Sequence, residues 1–190
     1  MRVLVAYATR HGATAGIAER IATRLSAAGL AAEAVSVENV HSLEGFQAVV
    51  LGAATYLGRW LKPAVSFART HRDDLSARPL WLFASGPLGT DLVDDSGRDV
   101  LESTRPREFE GLTASLHPRG ERVFFGAFDP ADKPVGLGER VVRAMPAMKG
   151  ALPTGDFRDW DAIDAWAAQI AEKLQADSAR AGSGEEGESP

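Results

Sequence analysis

Val3-Leu4-Val5-Ala6-Tyr7, continued by Ala8-Thr9-Arg10-His11-Gly12-Ala13-Thr14, is the stretch on which the fold turns. A short apolar run ends in a polar turn containing one glycine. From Thr14 onward the apolar positions Ile17, Ala18, Ile21, Leu25 and Ala28 follow helical spacing, and Gly29 stands where a C-cap is expected. Strand, tight turn and helix together deliver unpaired backbone N–H groups and the positive end of a helix dipole to an anion. Gly12 lets the backbone approach that anion, and Thr9 and Thr14 offer hydroxyl donors from either side. Two familiar phosphate loops do not fit. A dinucleotide fingerprint needs Gly-x-Gly-x-x-Gly, and here only Gly12 and Gly16 occur. A Walker loop needs a lysine, and the first lysine is Lys62. A mononucleotide phosphate held mainly by neutral donors fits better, with an ordinary threonine-rich turn as the competing reading.

Outward from this loop, short apolar runs alternate with helix-period segments. Ala34–Val37, Gln47–Gly52, Leu80–Ala84 and Glu121–Ala127 read as strands. Helices are expected from Pro63 through Phe67–Ala68 and over Phe109–Leu116. The clearest helix carries Trp160, Ile163, Ala167, Ile170 and Leu174, with Asp159 able to cap its start. This alternation predicts an α/β domain: a doubly wound, five-stranded parallel sheet with helices on both faces. Leu88–Pro106, polar and holding Asp91, Asp94 and Asp95, is expected to be a long loop. Residues 129–156 form a second poorly patterned stretch, apart from the amphipathic piece Glu139–Met145.

Composition narrows the function. The chain has 190 residues, enough for one such domain, and no cysteine, which excludes thiolate catalysis, disulfides and iron–sulfur clusters. No metal site is expected. The net charge is −5, but residues 176–190 contribute four acids against Arg180, so the body is only mildly acidic and nucleic acid is not an expected partner. That tail has no apolar residue larger than alanine, so we expect a folded domain over 1–175 and a disordered acidic tail over 176–190. No apolar run approaches a membrane span, and Arg2–Tyr7 lacks the order of a secretory signal, so a cytoplasmic protein is expected.

Thr9-Arg10-His11-Gly12-Ala13-Thr14 resembles the first loop of the flavodoxin-like family, Thr/Ser-x-Thr-Gly-x-Thr, which wraps the phosphate of flavin mononucleotide (FMN). His11 replaces the second threonine, so an imidazole stands in for a hydroxyl. The longer stretch Ala8–Thr14 is similar to the Ser-Thr-Arg-x-Gly-x-Thr of menaquinone-dependent protoporphyrinogen oxidases. Phe124-Phe125-Gly126-Ala127-Phe128-Asp129 and Asp156-Phe157-Arg158-Asp159-Trp160 resemble the fifth-strand segment and the final-helix start of that branch.

The resemblance implies strand order 2-1-3-4-5 and FMN as cofactor. Thr9, Arg10, His11, Gly12, Ala13 and Thr14 would hold the phosphate. Ala54, Thr55, Tyr56, Leu57 and Gly58 would lie against the flavin ring, with Tyr56 the better stacking candidate and Trp60 the second; packing of Trp60 in the core is an equal alternative. Ser85, Gly86, Pro87, Leu88 and Gly89 would face the pyrimidine side of the ring. The implied activity is an FMN-dependent oxidoreductase passing electrons from a small organic donor to a quinone-like acceptor. The alternative is an electron-carrier module that docks to partner redox proteins. No residue stands out as a general acid or base. Residues 139–149, basic and apolar, are a candidate for peripheral contact with an anionic membrane, with a packing helix as the equal alternative. A response-regulator-like domain is excluded, because Tyr7-Ala8 and Gly52-Ala53 stand where it needs carboxylates.

Overall fold

The computed structural model describes residues 1–129, 131 and 153–184. In chain order these form β1 (Arg2–Ala8), α1 (Ala13–Ala27), β2 (Ala31–Ser36), β3 (Ala48–Tyr56), β4 (Arg59–Trp60), α2 (Lys62–Thr70) and α3 (Arg72–Ser76). There follow β5 (Leu80–Ser85), α4 (Val100–Ser103), α5 (Glu108–Leu116), β6 (Gly120–Phe124), β7 (Ala127–Phe128), β8 (Gly155–Asp156) and a last helix, α6 (Trp160–Gly184). The segment 139–149, the candidate for membrane contact, lies outside the described residues.

Five parallel strands build the sheet in the order β2-β1-β3-β5-β6, with the short β4 antiparallel to β3. Counted over the five long strands, this is the order 2-1-3-4-5 that the resemblance implied. Period-two alternation divides the core. Leu4, Ala6, Val49, Leu51 and Leu82 face Phe67, Leu75, Phe109 and Leu112 of α2, α3 and α5. Val3, Val5, Val50, Trp81 and Phe83 face Ile17, Ile21 and Leu25 of α1 and Ile163, Ile170 and Leu174 of α6. With both faces covered, the central strands read as unbroken apolar runs. At the end of α1, Gly29 adopts φ +86, its N–H bonds Ser26 O, and Leu30 N bonds Leu25 O, a Schellman closure.

Four expectations change. β3 runs past Gly52 to Tyr56, so Ala54-Thr55-Tyr56 are strand residues. Leu88–Pro106 is organised: the Asp94 carboxylate accepts from Ser96 N, Ser96 Oγ and Arg98 N at 2.6–3.0 Å, and α4 begins with Asp99 capping Glu102 N. The hydroxyl of Ser96 and the amide of Arg98 hold the Asp94 carboxyl well below the usual carboxylate range. The fifth strand ends at Phe124, after which Ala127–Phe128 leaves the sheet to pair with Gly155–Asp156. Finally, α6 continues through Ala176–Gly184, a stretch expected to be disordered, and Arg119 ion-pairs with Asp177 there. Alanine favours helix strongly even where there is little apolar surface to bury. Among the described residues no helix is long and apolar enough to cross a membrane.

Candidate functional site

Three loops converge at the carboxyl ends of β1, β3 and β5, where doubly wound sheets bind their ligands. In the first, Gly12 takes φ +85 and ψ −16 as the N-cap of the fifteen-residue α1. Its N–H donates to Thr9 Oγ1 at 3.1 Å, and its carbonyl accepts the first helical bond from Gly16 N at 3.0 Å. No side chain caps the helix and no acid stands in its first turn. A Cβ built on Gly12 would meet no heavy atom within 4 Å, so the space in front of the first-turn N–H groups is open. Ala13 and His11 line the edge of that space and are half-buried.

Thr14 does not face this space. It is fully buried, and its Oγ1 lies 2.8 Å from Ser85 Oγ, itself 2 % exposed. This pair ties the start of α1 to the end of β5. Ser85 is therefore a support behind the third loop and not a surface donor within it. Thr9 braces the turn by accepting from Gly12, and its hydroxyl proton is still available to donate.

The second loop is a hairpin. Leu57 and Gly58, at φ +52 and +71, reverse the chain between β3 and β4, the pair of left-handed residues that suits the strand twist. Glu108, near the start of α5, secures it by accepting from Trp60 N at 3.0 Å and from Arg59 Nη1 at 3.4 Å. Trp60 is core: it is 2 % exposed, its Nε1 donates to Ala53 O at 3.1 Å, and its ring meets Phe109 edge-on at 5.1 Å. Tyr56 is half-buried, and the Arg10 guanidinium sits 4.6 Å from the centre of its ring, joining the first loop to the second. Gly52, within β3, admits Phe83, whose ring atoms would come within 2.0 Å of a Cβ there.

The third loop is stitched in place. Gly86 N donates to Phe124 O at 3.2 Å and Gly126 N to Pro87 O at 2.9 Å. A Cβ on Gly86 would lie 3.1 Å from Thr55 O, so this glycine allows the second and third loops to touch. Leu88 and Gly89 continue the loop half-buried, with Gly89 at φ +115. Close by, Thr55 Oγ1 is buried with no hydrogen-bond partner, a polar atom in want of a ligand.

One participant was not anticipated in the sequence. A cleft of about 560 Å³ separates Gly12 and Ala13 from the β7–β8 pair, and Arg158 lines it, reaching from β8 to α1. Arg158 grips Asp156 through Nε and Nη2 at 2.7 and 2.5 Å, lies 4.5 Å from the centre of the Trp160 ring, and donates to Ala13 O at 3.2 Å. Its hydrogen bonds hold the Asp156 carboxyl below the usual carboxylate range. Trp160 is thus half-buried as an anchor for this arginine as well as for the core. The signal was there in Asp156-x-Arg158-x-Trp160, but only the fold brings Arg158 to α1.

What these residues leave open suits the phosphate and polar edge of FMN: an uncapped helix start with an unfilled cradle, and an orphaned hydroxyl between the second and third loops. The comparisons agree in kind. Residues 4–131 match the family model described as the flavodoxin domain. No curated protein matches the sequence. Among solved structures, a flavodoxin from the domain Archaea superposes with TM-score 0.54 at 16 % identity, over 92 % of this chain and 99 % of its own. A variant flavodoxin of Pseudomonas aeruginosa gives 0.55 at 18 %, over 92 % and 99 %. Rubredoxin oxygen:oxidoreductase of Desulfovibrio gigas gives 0.58 at 12 %, over 92 % of this chain but only 36 % of that larger protein.

Proposed function

Because the chain belongs to the flavodoxin-domain family, we propose that it holds FMN across its three loops and serves as an electron-carrying module. Homologues with this domain bind FMN. The observation that carries the reading is the open, uncapped start of α1 at Gly12, set beside two loops that touch one another. The amides of Ala13 and its neighbours would take the phosphate, aided by the Thr9 hydroxyl and the half-buried His11. Tyr56 would flank the ring, and Thr55 Oγ1 and the backbone of Pro87–Gly89 would meet its polar edge. When bound, FMN supplies the redox chemistry; the protein positions it, limits water and sets the charge around it.

Turnover of an organic donor with a quinone-like acceptor, as in the oxidase-like branch, is the finer reading. Its support is the loop Ala8–Thr14 with Arg10 held over Tyr56. The flavodoxin matches favour the carrier. Anaerobic mixing of the reduced protein with a menaquinone analogue and protoporphyrinogen separates the two, since only the enzyme turns over.

The cofactor reading is tested by titrating apoprotein with FMN and with riboflavin, following flavin fluorescence. FMN should bind at least tenfold more tightly, about 1.4 kcal/mol, because only FMN brings the phosphate. Gly12→Val should abolish that preference, since a left-handed backbone disfavours valine by about 1–2 kcal/mol and the side chain enters the anion's space. Equal affinities for the two flavins, or an unaffected variant, would refute the site.

A further inference from the structure

The two faces of the β3–β4 hairpin differ in chemistry. Thr55 pairs with Trp60, and Tyr56 with Arg59, so each pair shares a face. The inner face holds the buried Trp60 and the buried hydroxyl of Thr55. The outer face holds Tyr56 with Arg10 over its ring, and Arg59 with its side chain 68 % exposed. Arg107 joins them: its N–H donates to Gly58 O at 3.1 Å, and its Nε comes within 3.9 Å of where a Gly58 Cβ would stand. Glu108 faces this group and is occupied by Arg59 and by Trp60 N.

At the turn stands Leu57, 92 % exposed in a left-handed conformation that few leucines adopt. Strained, exposed apolar residues of this kind concentrate at functional surfaces. The chain is acidic overall, yet this tip gathers three arginines around one exposed leucine. The acidic loop is placed differently: Leu92 lies in a second cleft with Leu101, Glu102 and Arg122 on the β6 side, and Asp94 is bound by Ser96 and Arg98.

We infer that the hairpin tip is the docking point for an acidic redox protein, with Leu57 as the apolar centre and Arg10, Arg59 and Arg107 as a cationic rim beside the flavin. The inference rests on FMN binding at the adjacent loops. An apolar centre within a charged rim is the anatomy of a transient protein interface, and rim charges act mainly on the rate of encounter. A partner bearing carboxylates around its own redox group fits this rim, and one bearing lysines does not.

The test uses FMN-loaded protein, reduced anaerobically and mixed with two oxidants: ferricyanide, a small anion, and cytochrome b5, a haem protein with an acidic rim. Two electrons leave each reduced flavin for two ferric centres, which become ferrous, and the flavin's protons go to water. Work begins at 0.1 M salt, where the screening length of about 10 Å leaves only nearby charges effective. Both rates should fall about threefold or more on going to 1 M salt. Replacing both arginines, Arg59→Gln with Arg107→Gln, should slow both oxidants about threefold at 0.1 M salt when each protein is kept saturated with FMN. Arg72→Gln, at the other end of the sheet, should do nothing. Leu57→Ser should slow cytochrome b5 and spare ferricyanide. Rates that rise with salt, or are indifferent to the double substitution, overturn the cationic rim; a Leu57→Ser protein unchanged toward cytochrome b5 overturns the docking point. Protein that stays colourless with FMN fails earlier, at the cofactor, and overturns both readings.

Discussion

Replacing Thr14 by valine, Ser85 by alanine, and both together probes the contact that most changes the picture of the phosphate loop. The two hydroxyls are 2.8 Å apart and almost wholly out of water. Removing either leaves the other buried without this partner, which costs about 1–3 kcal/mol. Removing both leaves no stranded group, and the net worth of a neutral hydrogen bond is only about 0.5–1.5 kcal/mol. The double variant should therefore be no less stable than the worse single one, with a coupling energy of about 1–2 kcal/mol. Urea unfolding of the four apoproteins, followed by tryptophan fluorescence, measures this directly. Additive losses would refute the contact. The same proteins address the ligand. If the Thr14 hydroxyl stays on Ser85, Thr14→Val keeps FMN affinity within about threefold, because the backbone N–H at residue 14 is untouched. A loss beyond about thirtyfold, roughly 2 kcal/mol, would mean that the hydroxyl turns to the phosphate instead.

Gly52→Ala should destabilise the fold by about 3 kcal/mol, at the upper end of overpacking costs, because Phe83 already fills the space; Phe83→Leu in the same chain should recover part of the loss in a thermal melt. Trp60→Phe should cost about 1–2 kcal/mol through the lost bond to Ala53 O and leave flavin affinity unchanged, whereas a large affinity loss by titration would return Trp60 to the ring. Arg20 holds the Asp164 carboxyl below its usual range, first by hydrogen bonding and then by charge. With the folded value depressed, the stability this pair contributes is complete above the unfolded carboxylate pKa of about 3.9 and disappears as pH falls through the lower folded one. Asp164→Asn should therefore flatten the loss of stability below about pH 4, read as urea midpoints at pH 7, 4 and 3; parallel curves for the two proteins would exclude the pair as a source of acid sensitivity.

The sheet was legible because its signals are local. Val3–Tyr7 and Leu80–Ala84 are apolar runs covered on both faces, and Ile17, Ile21 and Leu25 mark one side of a helix. Gly12 was read as the point where the backbone nears an anion; its left-handed φ of +85 is a further reason for glycine that the structure adds. What escaped depends on distant partners. The hairpin at Leu57-Gly58 lacks the Asn-Gly or Asp-Gly that announces such a turn, and leucine argues against a positive φ. The burial of Trp60 depends on Phe109 and Glu108, and the inward turn of Thr14 depends on Ser85, far away in sequence. Arg158 reaches α1 only because β8 places it there. In the tail, the lack of large apolar residues outweighed the helix-favouring Ala176, Ala179 and Ala181.

The two-residue pairing of Ala127–Phe128 with Gly155–Asp156 acts as a neck. Phe128 and Gly155 are thereby held side by side, on a ladder separate from the main sheet. For a flexible segment spliced between two such fixed points, the closure cost rises only logarithmically with length, about 0.6 kcal/mol per doubling. This corner is thus suited to grafting: a tag, a sensor or a second module could be spliced in there while the five-stranded body keeps its register.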